Sequence, residues 1–219
     1  MLISGMSREH VIQIFLTGVE AVKPCHFIPQ YIRLKGSSIT IADQDFTLSG
    51  TNSLYVAAAG KAASAMALET EKILGNRISE GIVVTKYHHA LPLRYCRTTE
   101  AGHPLPDNNS LLGGKEITAL FKKAGTGDII ILLISGGASA LLADAPPGCS
   151  LEDIQQTAQL LLDCGAAIDE INAVRKHLSL IKGGQLMQYT KATVIALVLS
   201  DVPGDDLSVI ASGLTVPDT

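Results

Sequence analysis

No tryptophan occurs in this chain, and aromatic residues of every kind make up only 4% of it. A core built from it must be aliphatic, assembled from Ile, Leu, Val and Ala. An excess of positive charge is missing too. There are 17 Lys and Arg against 21 Asp and Glu, for a net charge of −4, and no basic block stands out. That argues against general nucleic-acid binding, which neutralises phosphates with clustered cations. Cysteine is scarce: Cys25, Cys96, Cys149 and Cys164 are scattered, with no C-x-x-C pair and no zinc-ligand spacing. Two disulfides fit the count, but free thiols in a reducing cytoplasm are the expectation. The longest apolar runs fall far short of a bilayer span. Arg8, Glu9 and His10 interrupt any signal-peptide core, so neither export nor a membrane partner is expected.

The standard nucleotide and nucleophile motifs are also absent. A G-x-x-x-x-G-K-[ST] loop would need glycine where Tyr55 stands and Ser or Thr at Ala62. Gly136-Gly137 does not complete G-x-G-x-x-G, and Gly137-Ala138-Ser139-Ala140-Leu141 does not complete G-x-S-x-G. These gaps weaken P-loop ATPase, dinucleotide dehydrogenase and α/β-hydrolase readings alike. No internal repeat or low-complexity segment occurs.

What is there is a core-rich chain, 47% hydrophobic over 219 residues, long enough for one large domain or two small ones. Its most informative stretch is Ile129 to Ile134, six aliphatic residues without polar alternation, read as a strand buried on both faces. Ser135-Gly136-Gly137 then turns the chain, and Ala138 to Leu142 has the composition of a helix start. A strand, a glycine turn and a helix N-terminus leave backbone N–H groups free for a phosphate or carboxylate. The same arrangement also serves as a plain packing turn. Leu54 to Ala59 is a second buried strand, followed by Gly60-Lys61 and a helical run from Ala62 to Leu74. Lys61 therefore sits at a strand-to-helix turn, the usual ligand edge of an open α/β sheet. It is either functional or a solvent-facing lysine, and a cation opposing a helix dipole is a poor structural choice.

The remaining elements follow from periodicity and punctuation. Ser7 can cap a helix carrying Val11, Ile12, Phe15, Leu16, Val19 and Val22 at helical spacing, with Pro24 marking its end. Short strands are expected at Tyr31–Leu34, Ser38–Ile41 and Asp45–Leu48, and a longer one at Gly81–Thr85. Lys86, His88, His89 and Arg94 then lie in a polar loop. The stiff loop Glu100 to Asp107 contains His103, which is able to titrate or to bond an anion. A helix from Ser110 to Lys123 follows, capped by Asp107 or Asn108. Beyond the break at Pro146-Pro147-Gly148, Ser150 opens a helix to about Cys164. Ala167 to Leu180 is helical but interrupted by Asn172-Ala173-Val174-Arg175-Lys176-His177, which is either an anion-binding surface or a solvated helix face. Gly184–Thr190 reads as helix, and Lys191 leads into a strand ending at Val194–Leu199. The strand ends in Ser200-Asp201-Val202-Pro203-Gly204-Asp205-Asp206. Asp201 is placed to hold Mg²⁺ or to take a hydroxyl proton, while Asp205 or Asp206 can start a helix over Leu207–Ala211. The tail from Ser212 reads as a polar loop. Strands alternating with helices predict a doubly wound, mostly parallel sheet with helices on both faces. A cation, an amide cradle and a carboxylate at strand ends are the parts that phosphoryl transfer uses.

Several motifs occur in series: Ala58-Ala59-Gly60-Lys61-Ala62-Ala63, Glu100-Ala101-Gly102-His103-Pro104-Leu105-Pro106-Asp107 and Ile134 to Leu141. Asn172 to Ser179, Lys182-Gly183-Gly184, Leu199 to Asp206 and Ala211-Ser212-Gly213 complete the set. Together they resemble the N-terminal domain of the class II glycerate kinases, over nearly the whole chain. That family carries a second, MOFRL domain and has also borne the name hydroxypyruvate reductase. The resemblance implies ATP- and Mg²⁺-dependent phosphorylation of D-glycerate, giving 2-phosphoglycerate. Under it, Lys61 stabilises the transferring phosphoryl group, and Ser135, Gly136, Gly137 and Ser139 cradle phosphate or carboxylate oxygens. Asp201 holds Mg²⁺ or accepts the glycerate proton, Asp205 is a second metal candidate, and Asn172, Arg175 and Lys176 contact substrate anions. A homodimer stays open. Leu214 departs from the family's proline, which should loosen that loop. Residues 1–219 are expected to form one domain without the MOFRL domain, folding alone but weakly active or inactive. An inactive binding module and a reductase are the alternatives.

Overall fold

The computed structural model describes residues 7–48, 50 and 52–218; residues 1–6, 49, 51 and 219 of the expected domain lie outside them. Ser7 caps α1 (Arg8–Ala21) by accepting from the His10 N–H, and α2 (Pro24–Tyr31) follows at once. Pro24 therefore opens a helix as well as closing one, since its fixed φ suits a first helical turn. The short strands are β1 (Ile32–Lys35), β2 (Ser38–Ile41) and β3 (Gln44–Thr47), paired as an antiparallel meander. Taken together, Arg8–Tyr31 is long and apolar enough by composition to cross a bilayer, which the reading of unbroken apolar runs does not anticipate. The stretch is two helices, however, and α1 alone is about 21 Å long against about 30 Å of hydrocarbon.

Five parallel strands form the main sheet: β4 (Leu54–Ala59), β5 (Ile78–Lys86), β6 (Cys96–Ala101), β7 (Ile129–Ser135) and β8 (Thr193–Leu199). Their order is β6-β5-β4-β7-β8. From β4 the chain runs outward to β5 and β6, then returns to the other side of β4 and continues to β8. Direction thus reverses between β4 and β7. Side chains alternate across the central strands. Tyr55, Ala57 and Ala59 join Ile130, Leu132 and Ile134 on one face, while Leu54, Val56 and Ala58 join Ile129, Ile131 and Leu133 on the other. Every residue of both strands is buried, as a sheet covered twice requires.

Helix α3 (Ala63–Leu74), with α2 and the meander, covers the second of these faces. Helix α4 (Asn108–Lys123) covers the first, capped by Asp107, with Ile117 and Phe121 fully buried. The expected doubly wound α/β architecture is therefore present. Strand β6 is missing from the sequence expectations, which placed Glu100 and Ala101 in a loop. It is an edge strand with only Cys96 and Ala101 buried, so it carries little hydrophobic pattern.

Between β7 and β8 lie α5 (Ala138–Leu141), α6 (Leu151–Asp163) and α7 (Ile168–His177). Helix α5 is a single turn, shorter than its composition implies. The cluster Asn172 to His177, read as an interruption, lies inside α7. That helix stops before Leu180 because Asp144 captures the next residues: its Oδ1 accepts from Ser179 Oγ and its Oδ2 from the Leu180 N–H, both at 2.5 Å. Residues Gln185–Tyr189 are a 3₁₀ turn instead of α-helix. No α-helix forms over Leu207–Ala211 either, since Asp206 Oδ1 accepts from Ser208 N–H (2.8 Å) and organises only a local turn. The tail is partly core. Ser212, Gly213 and Leu214 are buried, and Leu214 packs into the aliphatic layer beneath β7.

Candidate active site

The turns after β4 and β7 leave the sheet side by side where the strand order reverses, the position at which open α/β sheets bind ligands. They interlock. Gly60 has φ +130°, and a Cβ there would lie 2.2 Å from Ser135 Oγ and 2.4 Å from the Ser135 carbonyl oxygen, so only glycine fits. The Lys61 N–H donates to Gly136 O (2.9 Å) and the Ala62 N–H to Ser135 Oγ (3.0 Å). From β5, Thr85 Oγ1 donates to Gly60 O (3.0 Å). Ser135 is 2% exposed and accepts from Ala62, so its hydroxyl joins the two turns.

The next residues face outward. A Cβ on Gly137, whose φ is +88°, would lie 3.0 Å from the His103 ring and 3.3 Å from Lys61 Cε. A Cβ on Gly136 would lie 2.5 Å from Asp201 Oδ2. Lys61 and Asp201 are thus brought to adjacent residues of one turn, at one end of the sheet. The N–H groups of Gly137, Ala138 and Ser139 meet no acceptor among the described residues. Because α5 is one turn long, these amides themselves, rather than a helix dipole, are what the turn offers to an anion.

A cleft of about 310 Å³ opens beside this turn, walled by Gly136, Gly137, Ser139, Asn172, Arg175 and Asp201, with His103 at its edge. Ser139 Oγ lies 2.6 Å from Ser212 Oγ, and Ser212 donates to Asn172 Oδ1 at 3.2 Å. This relay fixes both wall residues from a fully buried serine. Neither Arg175 nor Asp201 has a carboxylate or cation partner among the described residues. Two expected site residues stand apart. Lys176 donates to Asp218 Oδ1 (3.0 Å), and Asp205 is exposed in the turn beyond Val202, off the cleft wall.

The cleft's field is positive on one side. Burial lowers the His103 pKa below its ordinary value, and Lys61, Lys86 and Arg175 push it down further. Burial also lowers that of Arg175. A neutral imidazole among three cations leaves the positive charge free for an anionic ligand. His103 was legible in sequence only as a residue able to titrate or bond an anion, and Lys86 only as part of a polar loop; the structure brings both near the cleft. Behind the cleft, buried Lys182 donates to Leu142 O (2.9 Å). Burial pushes its pKa down to about 8, against the opposing pull of Asp144.

A family described as a domain of unknown function (DUF4147) matches residues 10–219. The chain is 42% identical over 211 residues to a protein from Pyrococcus horikoshii named glycerate 2-kinase, covering 96% of this chain and 47% of that one. It is 46% identical over 168 residues to the D-glycerate 2-kinase of Thermotoga maritima, covering 76% of this chain and 40% of the relative. Two Agrobacterium vitis relatives at 47% and 45% identity are named putative hydroxypyruvate reductase. Among solved structures, one from Pyrococcus horikoshii superposes with a TM-score of 0.86 at 42% identity, over 97% of this chain and 48% of that one. The glycerate kinase of Thermotoga maritima gives 0.80 at 39%, over 95% and 47%. The chain spans a little under half the length of these relatives. It belongs to the DUF4147 family, the family of the glycerate kinases.

Proposed function

We propose that this domain supplies the phosphate-handling half of an ATP-dependent kinase acting on D-glycerate to give 2-phosphoglycerate. The observation that carries the reading is the interlocked pair of turns, with Lys61 over Gly137 and Asp201 beside Gly136. Phosphoryl transfer needs charge neutralisation and positioning more than covalent chemistry. Lys61, free amides and an unpaired Arg175 provide the first, and the rigid stitching of the turns provides the second. Lys61 would meet the transferring phosphoryl group, the Gly137–Ser139 amides its oxygens, and Arg175 with Asn172 the glycerate carboxylate. Asp201 offers an unpaired hard oxygen donor of the kind Mg²⁺ takes. The metal would neutralise phosphate charge there. The cytoplasm, where ATP and reduced thiols coexist, is the compartment this chemistry fits.

A binding module without turnover is the second reading, favoured by a cleft wall on which Asp201 is the one carboxylate among the described residues. A coupled ADP assay with D-glycerate separates the two. Glycerate-dependent ADP formation supports the kinase; binding of ATP and glycerate with no ADP formed supports the module. NADH oxidation with hydroxypyruvate would replace both by a reductase, which the Ala59-Gly60-Lys61-Ala62 turn, lacking a dinucleotide fingerprint, disfavours.

A further inference from the structure

Two runs of the sequence, Lys182-Gly183-Gly184 and Ala211-Ser212-Gly213, are bonded to each other beside the cleft. The Gly183 N–H donates to Ser212 O (3.0 Å) and the Gly184 N–H to Gly213 O (2.6 Å). A Cβ on Gly184, whose φ is +77°, would lie 2.8 Å from Val216 O, so the close approach requires glycine. The pairing holds Ala211 (φ +53°) and Ser212 (φ +55°) in the left-handed region. Residues other than glycine rarely enter it, and those that do cluster at functional sites. What the turn delivers is one fully buried hydroxyl, that of Ser212.

Hydrogen counting then fixes what the cleft wall presents. Ser212 Oγ donates its one hydrogen to Asn172 Oδ1 (3.2 Å). The 2.6 Å bond between the Ser139 and Ser212 hydroxyls must therefore be donated by Ser139. With that hydrogen committed inward, Ser139 Oγ offers the cleft lone pairs only, and its hydroxyl has nothing to donate to a phosphate or carboxylate oxygen. Asn172 is the reverse. Its oxygen is taken, and its Nδ2 meets no acceptor among the described residues, although Asn172 is only 5% exposed. Arg175, three residues further along α7, lies on the same helical face and the same cleft wall. One cleft thus carries an acceptor and a set of donors, the complement of a hydroxyl and a carboxylate. We propose that Ser139, Asn172 and Arg175 form a hydroxy-acid subsite whose polarity Ser212 sets: a substrate hydroxyl donates to Ser139 Oγ, and the carboxylate of the same molecule accepts from Asn172 Nδ2 and Arg175. Ser212 is a positioning residue, since it acts through the groups that touch the acid. The identity of that acid, D-glycerate, rests on the proposed kinase function.

Calorimetric titration of the whole chain with D-glycerate and with propanoate, which keeps the carboxylate and lacks both hydroxyls, tests this. D-glycerate should bind about tenfold more tightly, the scale of one hydrogen bond whose loss strands a desolvated acceptor. Ser139→Ala should abolish that preference while leaving the affinities for propanoate and inorganic phosphate unchanged. Ser212→Ala should lower the preference about threefold, with the NMR fingerprint of the five-stranded core in place. The double variant should match Ser139→Ala alone, because Ser212 reaches the hydroxyl only through Ser139; a merely structural loss would weaken both acids alike. Equal binding of the two acids by the wild type, no binding of D-glycerate, or a preference that survives Ser139→Ala would overturn the subsite. So would a Ser139→Ala variant that loses phosphate affinity instead, which would make the hydroxyl a phosphate donor. The predicted preference in a chain that binds no ATP would count against the kinase reading and leave the subsite standing.

Discussion

The turns after β4 and β7 and the loop after β8 reach the same rim of the sheet but are held there differently. Gly60–Ala62 and Ser135–Gly136 are bonded to each other across the switch point and backed by buried Ser135 and Thr85. Among the described residues the bonds of the loop from Ser200 to Asp206 are local ones, such as Val202 N–H to Ser200 Oγ (3.1 Å) and Asp205 N–H to Val202 O (3.1 Å), and Asp201 is exposed. The cation-and-amide part of the site is preorganised, whereas the acidic part is anchored mainly by where β8 ends. The amide part would therefore meet a phosphate ready-made, in fixed geometry.

The largest effect expected is on turnover. In a preparation that phosphorylates D-glycerate, Lys61→Met should lower kcat by about a thousandfold, the scale of losing a donor aimed at transition-state charge; steady-state kinetics read this directly. Gly60→Ala should cost about 3 kcal/mol of stability, since its Cβ meets backbone that cannot move without disturbing both turns. Chemical denaturation measures it. Asp205→Ala in the acidic loop should cost less, about 1 kcal/mol, since the residue is exposed and its one constraint is a left-handed φ of +53° that Asp tolerates better than Ala. Asp201→Asn should weaken Mg²⁺ dependence at least tenfold more than Asp205→Asn, and equal effects would erase the distinction between them.

A smaller effect concerns the scaffold behind the cleft. The folded-state pKa of Lys182 is depressed to about 8 from an ordinary 10.5. Between those values the unfolded chain binds the proton more readily than the folded one, so stability should rise as pH increases from about 8 to 10.5, by at most about 3 kcal/mol. Below about pH 8 both states are protonated and the slope from this group vanishes. Lys182→Met should abolish the rise in denaturation curves taken across that range, whatever its effect at neutral pH.

Much of this was legible from residue order, for physical reasons. Leu54–Ala59 and Ile129–Ile134 lie in central strands buried on both faces, so no polar alternation interrupts them and the pattern was unambiguous. Ser7, Asp107 and Ser150 announce helix starts because capping is local. Strand β6 was not legible, since a half-exposed edge strand reads as Arg97-Thr98-Thr99-Glu100. The end of α7 depends on Asp144, a partner that no local window of sequence contains, and the missing helix at Leu207–Ala211 on the Asp206–Ser208 bond, by which a side chain competes with helix formation. Within the site, Lys61, the glycine turn and Asp201 could be placed at strand ends from topology alone. The separation of Arg175 from Lys176 could not, because it turns on the Lys176–Asp218 pair. For α1 the periodicity identified an apolar face, which the described core leaves exposed.

An amide NMR titration of this chain with ATP and Mg²⁺, with Lys61→Met alongside, bears most directly on the rim as the place where phosphate is handled. The account predicts that the largest shifts fall on Gly60–Ala62 and Gly136–Ser139, with smaller ones at Asp201, and that Lys61→Met abolishes or greatly weakens them. Shifts confined to the opposite end of the sheet, or unchanged in Lys61→Met, would contradict it.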